Sequence, residues 1–207
     1  RSLYLAPQDA EGHSNLGITL KELGRLEEAE ASCRQAIAFK ANFAEAHFNL
    51  GITLKELGRL EEAERSYAQA IALKPHYAEA YSNLGNTLKD LGRLEEAEAS
   101  YTQAINLKPD FAVAHYNLGN ILKQLGRLEE SEASCRKAIA FKADFAEAYF
   151  NLGNTLKDLG RLEEAEASYT QAIAFKPDYP EAHSNLGVTL KSLGRLEEAE
   201  ASYTQAI

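Results

Sequence analysis

A glycine recurs every 34 residues through this chain, at Gly17, Gly51, Gly85, Gly119, Gly153 and Gly187. A second follows seven residues behind each, at Gly24, Gly58, Gly92, Gly126, Gly160 and Gly194. A fixed period of this size restricts the fold more than composition does, because each unit is too short to enclose a core and must bury its apolar face against the next copy. The 207 residues therefore read as one elongated array rather than as one or two globules.

Ala78 to Phe111 is a representative unit, numbered here from position 1 to 34. Tyr81, Leu84, Gly85, Leu88 and Leu91 form an apolar stripe at helical spacing, which predicts a first helix, A. Gly92, at position 15, ends it, because the left-handed conformation wanted just past a helix end strains other residues. Leu94 restarts the pattern as helix B, with Glu95 and Glu96 in the first turn, where carboxylates suit the positive end of the helix dipole. Ala97, Tyr101, Ala104, Ile105 and Leu107 give helix B its buried face, and Pro109 closes it. Small residues make the seams: Gly85 and Ala97 let A and B of one unit approach closely, and Ala104 does the same for the next helix A.

The set Tyr81, Leu84, Gly85, Leu88, Ala97, Tyr101, Ala104, Pro109 resembles the tetratricopeptide repeat pattern, with leucine for tyrosine at position 11 and alanine for proline at Ala41 and Ala143. The resemblance implies an all-α fold, a right-handed α-solenoid superhelix of antiparallel helix pairs. The expected divisions are a remnant of a preceding helix B over 1–9, repeats over 10–43, 44–77, 78–111, 112–145 and 146–179, and a shortened repeat over 180–207.

Chemistry is scarce. His13, His47, His115 and His183 share position 4 with Tyr81 and Tyr149, and a position that accepts tyrosine is a packing position; one histidine per layer cannot share a metal. The paired glutamates fall in the same helix start in every unit and read as solvated carboxylates on the convex side. Every glycine except Gly12 is used by the two repeat positions, leaving none for a phosphate loop. The expectation is a noncatalytic segment with no cofactor and no metal. A net charge of −9 and the lack of a basic stripe argue against nucleic acid and a membrane surface, and no apolar run is long enough to span a bilayer. Cys33 and Cys135 both sit at position 24, three units and about 30 Å apart, too far for a disulfide; such core thiols fit a reducing, cytoplasmic compartment.

What remains is a face that could bind. In the family that the pattern resembles, positions 2, 5, 6, 9, 12 and 13 of helix A point into a concave groove. Position 6 is asparagine throughout: Asn15, Asn49, Asn83, Asn117, Asn151 and Asn185. Asparagine within a helix costs several tenths of a kcal/mol against alanine. A carboxamide both donates and accepts, which suits it to holding the main chain of an extended peptide; tying neighbouring helices together is the competing role. Position 9 adds Asn86, Asn120 and Asn154, position 5 adds Phe48, Tyr116 and Phe150, and position 12 supplies a lysine row that includes Lys55, Lys89, Lys123 and Lys157. The ladder is similar to that in the tetratricopeptide arrays of protein O-linked N-acetylglucosamine transferases, where such asparagines hold substrate peptides. The carboxylate clamp of chaperone-binding relatives is not assembled, since Ser82, Glu147 and Asn151 stand where it needs cations. The reading is a protein-interaction scaffold that binds an extended peptide. The alternatives are the substrate-recruiting arm of a larger glycosyltransferase, or an array that associates head to tail through uncapped ends.

Overall fold

Residues 9–207 are described by the structure, a computed structural model. The expected helix remnant at the start falls, except for Asp9, outside them. Helix endings set the architecture. Gly92 has φ of 76°, and its N–H donates to the Lys89 carbonyl at 2.9 Å while the Arg93 N–H reaches back to the Leu88 carbonyl at 2.9 Å. This double bond pattern turns the chain sharply after each A helix and uses carbonyls that would otherwise lack partners.

The chain forms two compact units. The first closes at Pro109 and holds α1 (Ala10–Glu22), α2 (Leu26–Phe39), α3 (Ala44–Glu56), α4 (Leu60–Leu73), α5 (Ala78–Asp90) and α6 (Leu94–Leu107). The second runs from Asp110 to Ile207 and holds α7 (Ala112–Gln124), α8 (Leu128–Phe141), α9 (Ala146–Asp158), α10 (Leu162–Phe175), α11 (Pro180–Ser192) and α12 (Leu196–Thr204). Among the described residues there is no strand. Within each unit every A helix packs on the B helix that follows it, and that B helix packs on the next A helix, the arrangement of a helix-pair solenoid.

Proline is not what ends the B helices. α2 and α8, followed by Ala41 and Ala143, stop at the same register as α4, α6 and α10, which are followed by Pro75, Pro109 and Pro177. In all five of these helices the stop comes with an extended backbone at the next residue, such as Lys142 at φ −140° and ψ 93°. In three cases an aromatic residue just before an A helix packs its ring back on the preceding A helix of the same unit: Tyr77 lies 4.8 Å from Phe48, Tyr179 lies 5.0 Å from Phe150, and Phe145 lies against Tyr116.

The seams are as tight as the small residues require. A Cβ placed on Gly85 would come within 2.7 Å of the Tyr101 ring, and one on Gly119 within 2.8 Å of the Cys135 sulfur. Tyr101 and Cys135 are themselves fully buried, as are Ala97, Ala104 and Ala138. Both cysteines are free, and burial pushes their thiols up, to about 11 for Cys33 and about 12 for Cys135.

The carboxylates at the start of the B helices are not merely solvated. Arg161 precedes α10 and grips Glu164, three residues on, through Nε and Nη2, each at 2.7 Å, which closes the first turn. Its Nη1 donates to Glu132 on the preceding B helix at 2.6 Å. Arg59 with Glu62 and Glu30, Arg93 with Glu96 and Glu64, and Arg195 with Glu198 and Glu166 repeat the arrangement. A row expected to face solvent is thus an ion-pair tie between repeats, because an arginine just before the helix reaches both the third helical residue and the neighbouring helix.

Candidate functional site

In the second unit, the side chains singled out at positions 5, 6 and 9 recur on α7, α9 and α11. Tyr116, Asn117 and Asn120 lie on α7, Phe150, Asn151 and Asn154 on α9, and Asn185 on α11. Spacings of three and four residues place each set on one helical face. The amides are half-buried and cross-linked. Asn151 Nδ2 donates to Asn120 Oδ1 at 2.6 Å, and Asn185 Nδ2 donates to Asn154 Oδ1 at 2.8 Å.

The tyrosine at position 24 completes this relay. The Tyr169 hydroxyl donates to Asn154 Oδ1 at 2.8 Å. Burial, helped by the charge of Asp158, pushes this phenol well above its ordinary pKa, so its proton stays in place. With both contacts converging on the oxygen of Asn154, its two N–H bonds are directed elsewhere. At Asn151 the opposite end is left over: one N–H is spent on Asn120 and the side-chain oxygen Oδ1 accepts nothing among the described residues. At this point of the face Asn154 offers a donor and Asn151 an acceptor, the pair of functions that a peptide main chain needs. Asn120 differs in one respect, because Cys135 occupies position 24 behind it and brings no hydroxyl.

The first unit carries a sparser version. Tyr101 donates to Asn86 Oδ1 at 2.8 Å, and Asn49 Nδ2 donates to Ser14 Oγ at 3.0 Å. Position 9 of the repeat before Asn83 is Ile52, and Asn83 has no side-chain hydrogen bond among the described residues. Asn15 is exposed. A cleft of about 410 Å³ lies on this face, lined by Ser14, Asn15, Ile18, Phe48, Asn49 and Tyr77.

Two groups of expected contact residues have other work. The aromatics at position 5 are half-buried wedges. Phe48 and Phe150 pack on the rings named above and on Tyr67 and Tyr169, and Tyr116 lies 4.9 Å from Phe145. The lysine row is largely neutralised by acids at position 13 of the next repeat. Lys21 pairs with Glu56 at 3.6 Å, Lys55 with Asp90 at 3.1 Å, and Lys123 with Asp158 at 2.9 Å. Lys89 lies 3.8 Å from Asp90. Lys157 faces a repeat that has Ser192 at that position and makes no ion pair among the described residues. The partner acid lies one repeat away, outside the helix that carries the lysine.

The histidines pack or cap. His13 lies 5.4 Å from the Phe39 ring, His115 stacks on Phe141 at 5.5 Å, and His47 and His183 contact the carbonyls of Ala41 and Pro177 through Nε2 at 3.1 and 3.0 Å. No group of three metal-ligating side chains is gathered among the described residues, and none of their helices is long and apolar enough to cross a membrane.

The chain matches the family profile described as TPR repeat over residues 19–58, 53–92, 85–126, 119–160 and 153–194, and the one described as tetratricopeptide repeat over 182–207. Comparison with curated protein sequences returned no match. Among solved structures, PilF of Pseudomonas aeruginosa is similar at a TM-score of 0.86 and 19% identity, covering 97% of this chain and 92% of its own. PilW, described as a widely conserved type IV pilus biogenesis factor, is similar at 0.85 and 22%, covering 97% and 93%. YrrB, described as a TPR protein with an unusual peptide-binding site, is similar at 0.71 and 25%, covering 84% of this chain and 90% of its own.

Proposed function

Because this chain belongs to the tetratricopeptide repeat family, a family of protein-interaction scaffolds, we propose that it binds an extended peptide along its A-helix faces, and that the asparagines at positions 6 and 9 hold the peptide's main chain. The observation that carries this reading is the directed amide relay of the second unit. Tyr169 and Asn185 both donate to Asn154 Oδ1, which turns the Asn154 N–H bonds away, and Asn151 retains an unused side-chain oxygen. The inter-helix bond of each pair spends one N–H and one oxygen, which leaves the other N–H bonds and the Asn151 side-chain oxygen for a ligand. The position-5 aromatics set the spacing of the repeats, and the paired lysines border the site without contacting the main chain. The likeness to YrrB supports the peptide reading.

Panning a random peptide library on the immobilised chain tests it. The expectation is enrichment of binders whose affinity falls about tenfold or more in the Asn151→Ala, Asn185→Ala double variant, each site removing a main-chain hydrogen bond in a partly desolvated setting. The far-UV circular dichroism should stay unchanged. Binders indifferent to both substitutions would refute the role of the amides.

A further inference from the structure

Repetition supplies an internal control for each position. Position 22 is alanine at Ala31, Ala99, Ala133, Ala167 and Ala201, and arginine only at Arg65. At that place a cleft of about 400 Å³ opens between α2 and α4, away from the asparagine face. Its apolar floor includes Ile37, Leu50 and Leu54, and Arg65 stands on its wall.

The charges around the cleft balance except for one. Arg34 donates to Glu30 at 2.8 Å and Glu62 at 3.4 Å, while Arg59 donates to Glu30 and Glu62, each at 2.6 Å. Two arginines therefore meet two glutamates. Arg65 makes no hydrogen bond or salt bridge among the described residues, and its charge acts on Glu62 only through space. The same register of the second unit repeats the balanced set: Arg136 meets Glu132 at 2.9 Å and Glu164 at 3.3 Å, and Arg161 meets both as described above. Ala167 stands where Arg65 does. An unspent guanidinium beside an apolar floor is thus one of two departures among the cleft's lining residues, the other being His47, where the second unit has Tyr149.

We propose that this cleft docks an acidic segment of a protein partner. One apolar side chain of that segment seats on Ile37, Leu50 and Leu54, and a neighbouring Asp or Glu carboxylate meets Arg65. The planar, five-donor guanidinium matches a carboxylate in a fork that the alanines elsewhere cannot offer. The cleft is at the small end of ligand pockets, which suits one or two side chains rather than a whole helix face.

The test is an NMR titration of the ¹⁵N-labelled full chain with the blocked peptide acetyl-Leu-Ala-Ala-Glu-Leu-Ala-Ala-Glu-amide, in which every carboxylate is a glutamate side chain. Saturable shifts are expected at the amides of Ile37, Leu54 and Arg65. Affinity should fall about fivefold, the upper end for an exposed ion pair, either with Arg65→Ala or with a probe whose glutamates are replaced by glutamine. The probe substitution keeps the test independent of how the variant folds. Shifts that do not saturate, that survive both changes, or that appear equally at Ile139 and Leu156 of the second unit would overturn the proposal.

Discussion

Tyr169 and Cys135 fill equivalent seams of consecutive repeats, against Gly153 and Gly119, but only the tyrosine reaches through to an asparagine on the other side. Tyr169→Phe should therefore keep the packing and lose the hydroxyl. A loss of about 1 kcal/mol in urea denaturation is expected, together with weaker peptide binding, because Asn154 is then held by Asn185 alone. The seam itself is intolerant. Gly85→Ala gains helix propensity but drives a methyl into the Tyr101 ring, and overpacking should win, at about 1–3 kcal/mol of lost stability by the same measurement. The buried thiols give a third outcome at this scale. With burial pushing Cys33 to about 11 and Cys135 to about 12, both should resist a thiol-specific chromogenic reagent at pH 8 in the folded chain and react at once in denaturant. Rapid reaction of the folded protein would contradict their placement.

Each helix pair is tied to the next by the arginine that precedes a B helix. Burial would raise the pKa of Glu132, but hydrogen bonds from Arg136 and Arg161 outweigh it and hold the carboxyl below its ordinary value. A lowered folded-state pKa contributes stability above the unfolded-state value, and that contribution disappears as pH falls through the folded-state value. Stability should thus be level near neutrality and decline on acidification below about pH 4, with the Glu132→Gln variant, about 1 kcal/mol weaker at pH 7, showing a shallower decline. Urea midpoints measured across that range check both. The helices themselves were legible in the sequence: the stripe through Tyr81, Leu84 and Leu88 and the stop at Gly92 correspond to α5 as observed. The ion-pair tie was not, because Glu132 and Arg161 lie 29 residues apart and their meeting depends on how one B helix stacks on another. For the same reason the pairing of the lysine row was not legible, although Lys55 and Lys123 each face an acid in the next repeat.

In each unit one face of the A helices gathers amides, while the starts of the B helices, with three glutamates to one arginine, carry much of the net charge of −9, so that charge says little about where a partner sits. The period alone identified the candidate face, since helix geometry puts positions 6 and 9 together wherever the repeat recurs. It could not say which end of each amide is spent, because that depends on Tyr169 and on an asparagine of the neighbouring repeat. If the amides hold a main chain, the bound peptide should tolerate changes to its side chains but not to its backbone. Isothermal titration of a library-selected peptide and its N-methylated series measures this most directly. Methylating successive peptide nitrogens should weaken binding about tenfold or more at the positions that face the asparagines, while alanine substitutions at the same positions have little effect. Binding that survives N-methylation throughout, and collapses only when side chains are truncated, would contradict it.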